Sequence, residues 1–396
     1  MQGSSRRRIW IVCAAVVVAA LVLPLGARVG ARHFHDDTLW ANTLGSLGGS
    51  GESFDFDIFL GAGDDVLAGR SPYPKPEALE GQLGSPYAYP PLLALLVTPL
   101  AVLPETVADT FVPGVVFTLL LIAATVGALG LLGVRDWRCY PVALLYPVTL
   151  EAFEYGAIGP VLLFLLALAW RFRDDSVGSG VATGGAVVLK LFLWPSLVWL
   201  AVTRRLRAAA LGAVAAAALA LLSWSVIGFS GLAGYPRLLR RLVENEAENS
   251  YSGFAVLRAI GLPELASHAL VLAGGVALLV LAGRAARTPA LESVEQDRRS
   301  LTLTLAAALV LTPILWLHYL VLLVLPIALA RPRLSLLWFA PLAMTAFEWL
   351  DWYRGWPNGD SEALASVSAV VVLVFAVSLR RSGSPADESR SAPARA

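Results

Sequence analysis

Residues 55–91 read DFDIFLGAGDDVLAGRSPYPKPEALEGQLGSPYAYPP, the longest polar insertion between apolar segments of the chain, and the insertion opens on carboxylates. Ser53 has an N-capping side chain, the residues after it predict a short helix from Phe54 to Ala68, and Gly69 with Arg70 reads as its stop. Asp55 and Asp57 then lie in the first turn, where the helix dipole favours an ionised carboxylate. At a spacing of two they point about 200° apart, so one faces a cavity while the other meets water. Spacing alone does not say which. The stretch re-enters apolar sequence through the rigid turn Tyr87-Ala88-Tyr89-Pro90-Pro91.

Around this insertion the chain is built for a membrane. Its 396 residues are 57% hydrophobic and 15% charged, with a mean hydropathy of +0.69. Soluble domains carry about a quarter charged residues, so an all-α polytopic transmembrane bundle is expected. The net charge of +1 says nothing about partners. Cys13 and Cys139 lie in or beside apolar runs, so neither a disulfide framework nor a cysteine metal site is supported. Scarce Lys beside abundant Arg, Ala and Gly is the composition of a high-GC bacterial genome.

Basic clusters set the topology, because cytoplasmic loops are enriched in Lys and Arg. They fall at Arg6–Arg8, Arg171/Arg173, Arg204/Arg205/Arg207, Arg284/Arg287, Arg298/Arg299, Arg331/Arg333 and Arg380/Arg381. With all of these inside, the run Ile9–Ala27, which is about 20 residues long and able to span, leads outward. It also resembles a signal peptide; a retained first helix is expected. Residues 30–89 become the first outer loop, carrying the active site, and 229–266 a second outer segment with an amphipathic helix around Leu238, Leu239, Leu242 and Val243. Later spans are expected near 207–228, 267–283, 301–316, 318–330, 334–350 and 363–379, about twelve in all. Either 90–104 or 139–151 fails to span. Residues 1–381 form one membrane domain, and 382–396, rich in Ser, Pro, Ala and Arg, form a disordered cytoplasmic tail.

Few residues carry chemistry. A loop aspartate is ordinarily a solvated charge, but Asp55 and Asp57 are flanked by Phe54, Phe56, Ile58 and Phe59, and a carboxylate held against apolar surface can serve as a base. Lys190 interrupts an apolar stretch; it either snorkels to the headgroups or contacts a lipid-borne phosphate. His318, between Trp316 and Tyr319 after the helix-breaking Pro313, suits a polar headgroup or a sugar. Glu151, Glu154, Glu348 and Asp351 are boundary carboxylates, one of which lines the cavity. His33 and His35 give only a weak metal signal. No GxxxxGK[ST], GxGxxG after a strand, or GxSxG is present, so the chain has no cytoplasmic nucleotide site, and an activated donor comes from the lipid side.

The order of these residues resembles glycosyltransferase family 87, membrane enzymes whose actinobacterial members include polyprenyl-phosphate-mannose-dependent α-1,2-mannosyltransferases. The matching pieces are the Asp-x-x-(Val/Ile)-(Tyr/Phe) segment at Asp55–Phe59, Ala-Gly-x-x-x-Tyr at 68–73, Tyr-Pro-Pro at 89–91, Lys190 with Pro195, Asn249 with Ser252, and Pro313 with Trp316-Leu317-His318. The resemblance implies a GT-C fold and, on the outer face of the plasma membrane, inverting transfer of a hexose, mannose above all. The sugar passes from a polyprenyl phosphate to a hydroxyl of a glycolipid or lipoglycan, without metal or other cofactor. It assigns the general base to Asp55 rather than Asp57, and the phosphate leaving group to Lys190 and His318. Asp57, Tyr73, Tyr89, Asn249 and Trp316 complete the implied substrate site. Two departures bear on donor and acceptor: Gly156-Ala157-Ile158-Gly159 stands where the family often has Gly-Gln-Val-Asn, and His318-Tyr319 where it often has His-His. Related arabinofuranosyltransferases share the architecture. The rival from another class is a lipid or solute transporter or flippase, which would place polar groups near the midplane and show repeated halves; here polar residues gather at the outer end, and no repeat is visible.

Overall fold

The computed structural model describes residues 54–75, 86–102, 112–248 and 250–342, and among these every regular element is a helix. The expected first span, the Ser53 cap, Asn249, the last spans beyond residue 342 and the tail lie outside the described residues.

Helix α1, Phe54–Leu67, occupies the predicted stretch and stops at Gly69, whose φ of 69° is the left-handed conformation that glycine adopts without strain. It packs along α2, Pro91–Ala101, which starts on a proline at its first turn. Eleven residues reach only about 16 Å along an α-helix, half of a hydrocarbon core of about 30 Å, so this run is a short helix. After α3, Val112–Leu131, the second ambiguous run also breaks, into α4, Cys139–Leu144, and α5, Pro147–Glu154. Proline at 147 has no N–H to continue the ladder, which is why the run divides there. Then α6, Gly159–Arg171, leaves α5 at a bend of 117°. This corner is the floor of the candidate site.

The remaining helices are α7, Ser176–Leu189; a 3₁₀ turn, Leu191–Leu193; α8, Pro195–Val202; α9, Leu206–Val226; α10, Tyr235–Glu246; α11, Gly253–Ala259; α12, Glu264–Ala285; and α13, Ser293–Leu311. A 3₁₀ stretch, Leu317–Leu323, runs into α14, Val324–Ala330, and a last 3₁₀ turn covers Leu336–Leu342. Among the described residues, Pro113–Leu131, Leu206–Val226 and Glu264–Ala285 are long and apolar enough to cross a membrane, with α5 and α6 a fourth if the bent pair is one span. The second and third coincide with the spans expected near 207–228 and 267–283. The run expected to span at 318–330 is instead the 3₁₀ stretch plus α14, and every residue from Leu317 to Ala330 is buried. Backbone that departs from the α-helix in an apolar medium survives only where protein covers it.

Small residues close the bundle. A Cβ on Gly184 would stand 2.4 Å from the Gly212 carbonyl oxygen, and one on Gly180 2.7 Å from that of Ala208. The spacing Gly180-x-x-x-Gly184 thus lets α7 and α9 approach backbone to backbone, the packing that replaces hydrophobic burial between helices in lipid. At the far end of α6 and α7, Arg205 grips Asp297 with two hydrogen bonds of 2.7 Å, while Arg173 approaches the same carboxylate at 3.3 Å and Asp174 bonds Arg205 at 3.0 Å. Helix α10 is amphipathic as expected, with Leu238 buried and Arg237, Arg240 and Arg241 exposed.

Candidate active site

The N-terminus of α1 is docked onto the α5–α6 corner. The first N–H groups of a helix have no partner within it; here those of Asp55 and Phe56 both donate to the Tyr155 carbonyl, at 3.0 and 3.1 Å. Gly156 makes this docking possible. Its φ is 64°, and a Cβ there would lie 2.5 Å from the Cβ of Phe56. The corner therefore holds Asp55 by its own main chain, with the carboxyl side chain only 15% exposed. Asp57, pointing the other way, is exposed.

Beyond Asp55 lies His318, at the start of the 3₁₀ stretch. Its Nε2 is 3.8 Å from Asp55 Oδ2, and its Nδ1 is 3.4 Å from Glu151 Oε1. The ring is buried, neither nitrogen makes a hydrogen bond, and Tyr155 and Tyr319 pack edge-on against it. A Cβ on Gly159 would meet the His318 carbonyl oxygen at 3.1 Å and Val321 at 2.8 Å. Glycine at 159 thus lets the start of α6 close directly on the histidine backbone.

Lys190 stands in the non-helical link between α7 and the 3₁₀ turn. Its ammonium donates to the Tyr89 hydroxyl at 2.6 Å and lies 3.8 and 4.5 Å from the ring centroids of Tyr89 and Tyr319. No described carboxylate is within 4.0 Å of it, although Asp55 is near enough for its charge to act on Lys190, Tyr89, Tyr319 and His318. Tyr319 stacks on Phe192. A cation held by phenols and aromatic faces keeps its charge available to an incoming anion.

Tyr89 is itself clamped from behind. Tyr73 donates to the Tyr89 carbonyl at 2.8 Å, Tyr235 to that of Ala88 at 3.0 Å, and Tyr87 to that of Pro90 at 2.7 Å. Trp224 stacks on Tyr73. Burial pushes the Tyr73 and Tyr87 phenols upward, so both stay neutral donors. The Tyr-Pro-Pro turn is thereby fixed to the ends of α9 and α10.

Of the expected site residues, Asp55, Tyr89, Lys190 and His318 come together. Tyr73 sits behind Tyr89 and holds its backbone, Asp57 faces outward, Trp316 packs half-buried against the core, and Asn249 lies outside the described residues. Among the four boundary carboxylates, Glu151 enters the site, while Glu348 and Asp351 lie outside the described residues. The signal for Glu151 was a carboxylate inside the apolar run Pro147–Phe153. Among the described residues no three His, Cys, Asp or Glu side chains are grouped to hold a metal.

No curated protein and no solved structure matches the chain. A family model does, over residues 87–315, a range that contains Tyr89, Glu151 and Lys190 and is flanked by Asp55 and His318. This membrane protein belongs to glycosyltransferase family 87 and is a glycosyltransferase.

Proposed function

We propose that the enzyme moves a hexose, mannose first, from a polyprenyl phosphate to a hydroxyl of a glycolipid or lipoglycan on the outer face of the plasma membrane, with inversion. The observation that carries this reading is the convergence, within an apolar helical bundle, of the Asp55 carboxylate with a cation, Lys190, that has no carboxylate within 4.0 Å among the described residues. Asp55 takes the proton of the acceptor hydroxyl as that oxygen attacks the anomeric carbon. Lys190 neutralises the phosphate that departs, with Tyr89 and Tyr319 shaping its surroundings, and His318 stands beside Asp55 at 3.8 Å to help hold the phosphate. A phosphate leaving group needs no protonation, so a single base is enough.

The side of the membrane is supported by the arginines. Helix α6 runs from the site at Gly159 to Arg171, about 20 Å away at 1.5 Å per residue, and the Arg173–Arg205–Asp297 cluster lies at that distant end. A basic cluster inside puts the site outside. A bundle of about twelve spans, with 30–89 and 229–266 as outer segments, is consistent with this orientation. In the site, Tyr73 acts through Tyr89, whose carbonyl it holds; Asp57, Asn249 and Trp316 remain substrate-binding residues on the family resemblance alone.

The test is incubation of the purified protein with labelled polyprenyl-phospho-mannose and a panel of lipid acceptors. Label appearing in an acceptor, and failing to appear with Asp55→Asn, is the expected result; equal transfer by both proteins overturns the assignment.

A further inference from the structure

Glu151 has no role in the reaction described above, yet its carboxyl group faces the His318 ring nitrogen Nδ1 at 3.4 Å. The opposite ring nitrogen faces Asp55 at 3.8 Å, so the three side chains form a row, carboxylate, imidazole, carboxylate. Both ring nitrogens are buried and without hydrogen bonds, and Glu151 and Asp55 are the two carboxylates within 4.0 Å of the ring among the described residues. A histidine's proton-bearing nitrogen is set by the partner of the other nitrogen. Distances somewhat beyond a hydrogen bond are usual before substrate binds.

We propose that Glu151 is a positioning residue for the transfer: it keeps the proton of His318 on Nδ1, so that Nε2 is free to receive the proton Asp55 has taken from the acceptor. The inference rests on Asp55 being the base. The balance is as follows. The acceptor O–H bond breaks and its oxygen bonds the anomeric carbon, while the bond from that carbon to the phosphate oxygen breaks and its electron pair leaves with the phosphate. The proton goes to Asp55 Oδ2 and from there to His318 Nε2. Burial works against a charged imidazole, and the neighbouring Asp55 carboxylate offsets part of that cost. The resulting imidazolium lies between Glu151 and the restored Asp55 carboxylate, and its charge arises as the phosphate gains its second negative charge. The same division of labour, a carboxylate orienting an imidazole that receives a proton, operates in serine hydrolases.

Two measurements test this. In the full-length protein labelled with ¹⁵N-histidine, in detergent at pH 8, the signal that disappears in His318→Gln should report the Nδ1–H tautomer. Glu151→Gln should shift that signal toward Nε2–H or toward a mixture. This reading needs no substrate, so it separates the contact from the choice of donor. With labelled polyprenyl-phospho-mannose, Glu151→Gln should lower kcat roughly tenfold or more while donor KM stays within about twofold, and Glu151→Asp should recover part of the loss. A wild-type signal already on Nε2, a signal unmoved in Glu151→Gln, or an unchanged kcat in that variant each overturns the proposal. Absence of transfer by the wild type would count against the donor assignment and leave the tautomer result to decide the role of Glu151.

Discussion

The Lys190 ammonium donates a 2.6 Å hydrogen bond to the hydroxyl of Tyr89, 101 positions earlier in the chain, and lies 3.8 Å from that ring's centroid. This pairing ties the exit of the first polar stretch to the break between α7 and the following 3₁₀ turn. It also leaves a positive charge in the site with no carboxylate within 4.0 Å among the described residues.

Removing each partner should therefore act differently. Lys190→Met deletes a cation in an apolar surrounding, so the purified protein should melt at an equal or higher temperature, while transfer falls because the leaving phosphate is no longer neutralised. Tyr89→Phe leaves the ammonium without its acceptor and should cost about 1–3 kcal/mol of stability. Thermal melts and donor KM measured together distinguish the two; a destabilised Lys190→Met would contradict this account.

Asp55→Asn keeps the shape of the side chain and removes the base. Transfer should drop by roughly 100-fold or more, with expression and melting temperature preserved, whereas Asp57→Asn, at an exposed position, should remain close to wild type. Initial rates on membranes supplied with the lipid-linked donor provide the check.

Gly156→Ala should disable the enzyme without touching any reacting group. The added methyl would sit 2.5 Å from the Phe56 Cβ and would have to hold a φ of 64°. Such backbone strain costs about 1–3 kcal/mol, and relief requires α1 to move, taking Asp55 with it. Loss of both melting temperature and kcat is expected; a fully active Gly156→Ala would show that the corner is not what places the carboxylate.

Acid should loosen the end of the bundle opposite the site. Asp136 bonds Arg138 at 2.9 and 3.0 Å and accepts the Leu334 N–H at 3.1 Å, and the arginine above all holds its carboxyl below the usual carboxylate range. A lowered folded-state pKa contributes stability above the unfolded value of about 3.9, and that stability is lost as pH falls further toward the folded value. Arg138 is exposed, so the effect is small. Asp136→Asn should melt a few degrees lower at pH 7, and the gap from wild type should shrink only below about pH 4.

The sequence by itself determined the class of the protein and the ends of its strongest elements. Continuous apolar runs became the helices at 112–131, 206–226 and 264–285, and α1 ended where Gly69 implied, because helix length and left-handed glycines are local properties. Asp55, Lys190 and His318 were legible as singular polar groups in apolar surroundings. Only the tertiary structure decided what they meet. The run at 139–154 breaks at a proline and bends by 117° into α6, and the run at 317–330 is a buried 3₁₀ stretch, because neighbouring helices cover backbone that lipid would not tolerate. That corner brings Glu151, the Tyr155 carbonyl and Gly156 around Asp55 and His318. Such a meeting depends on contacts between residues far apart in the chain, which no local periodicity records.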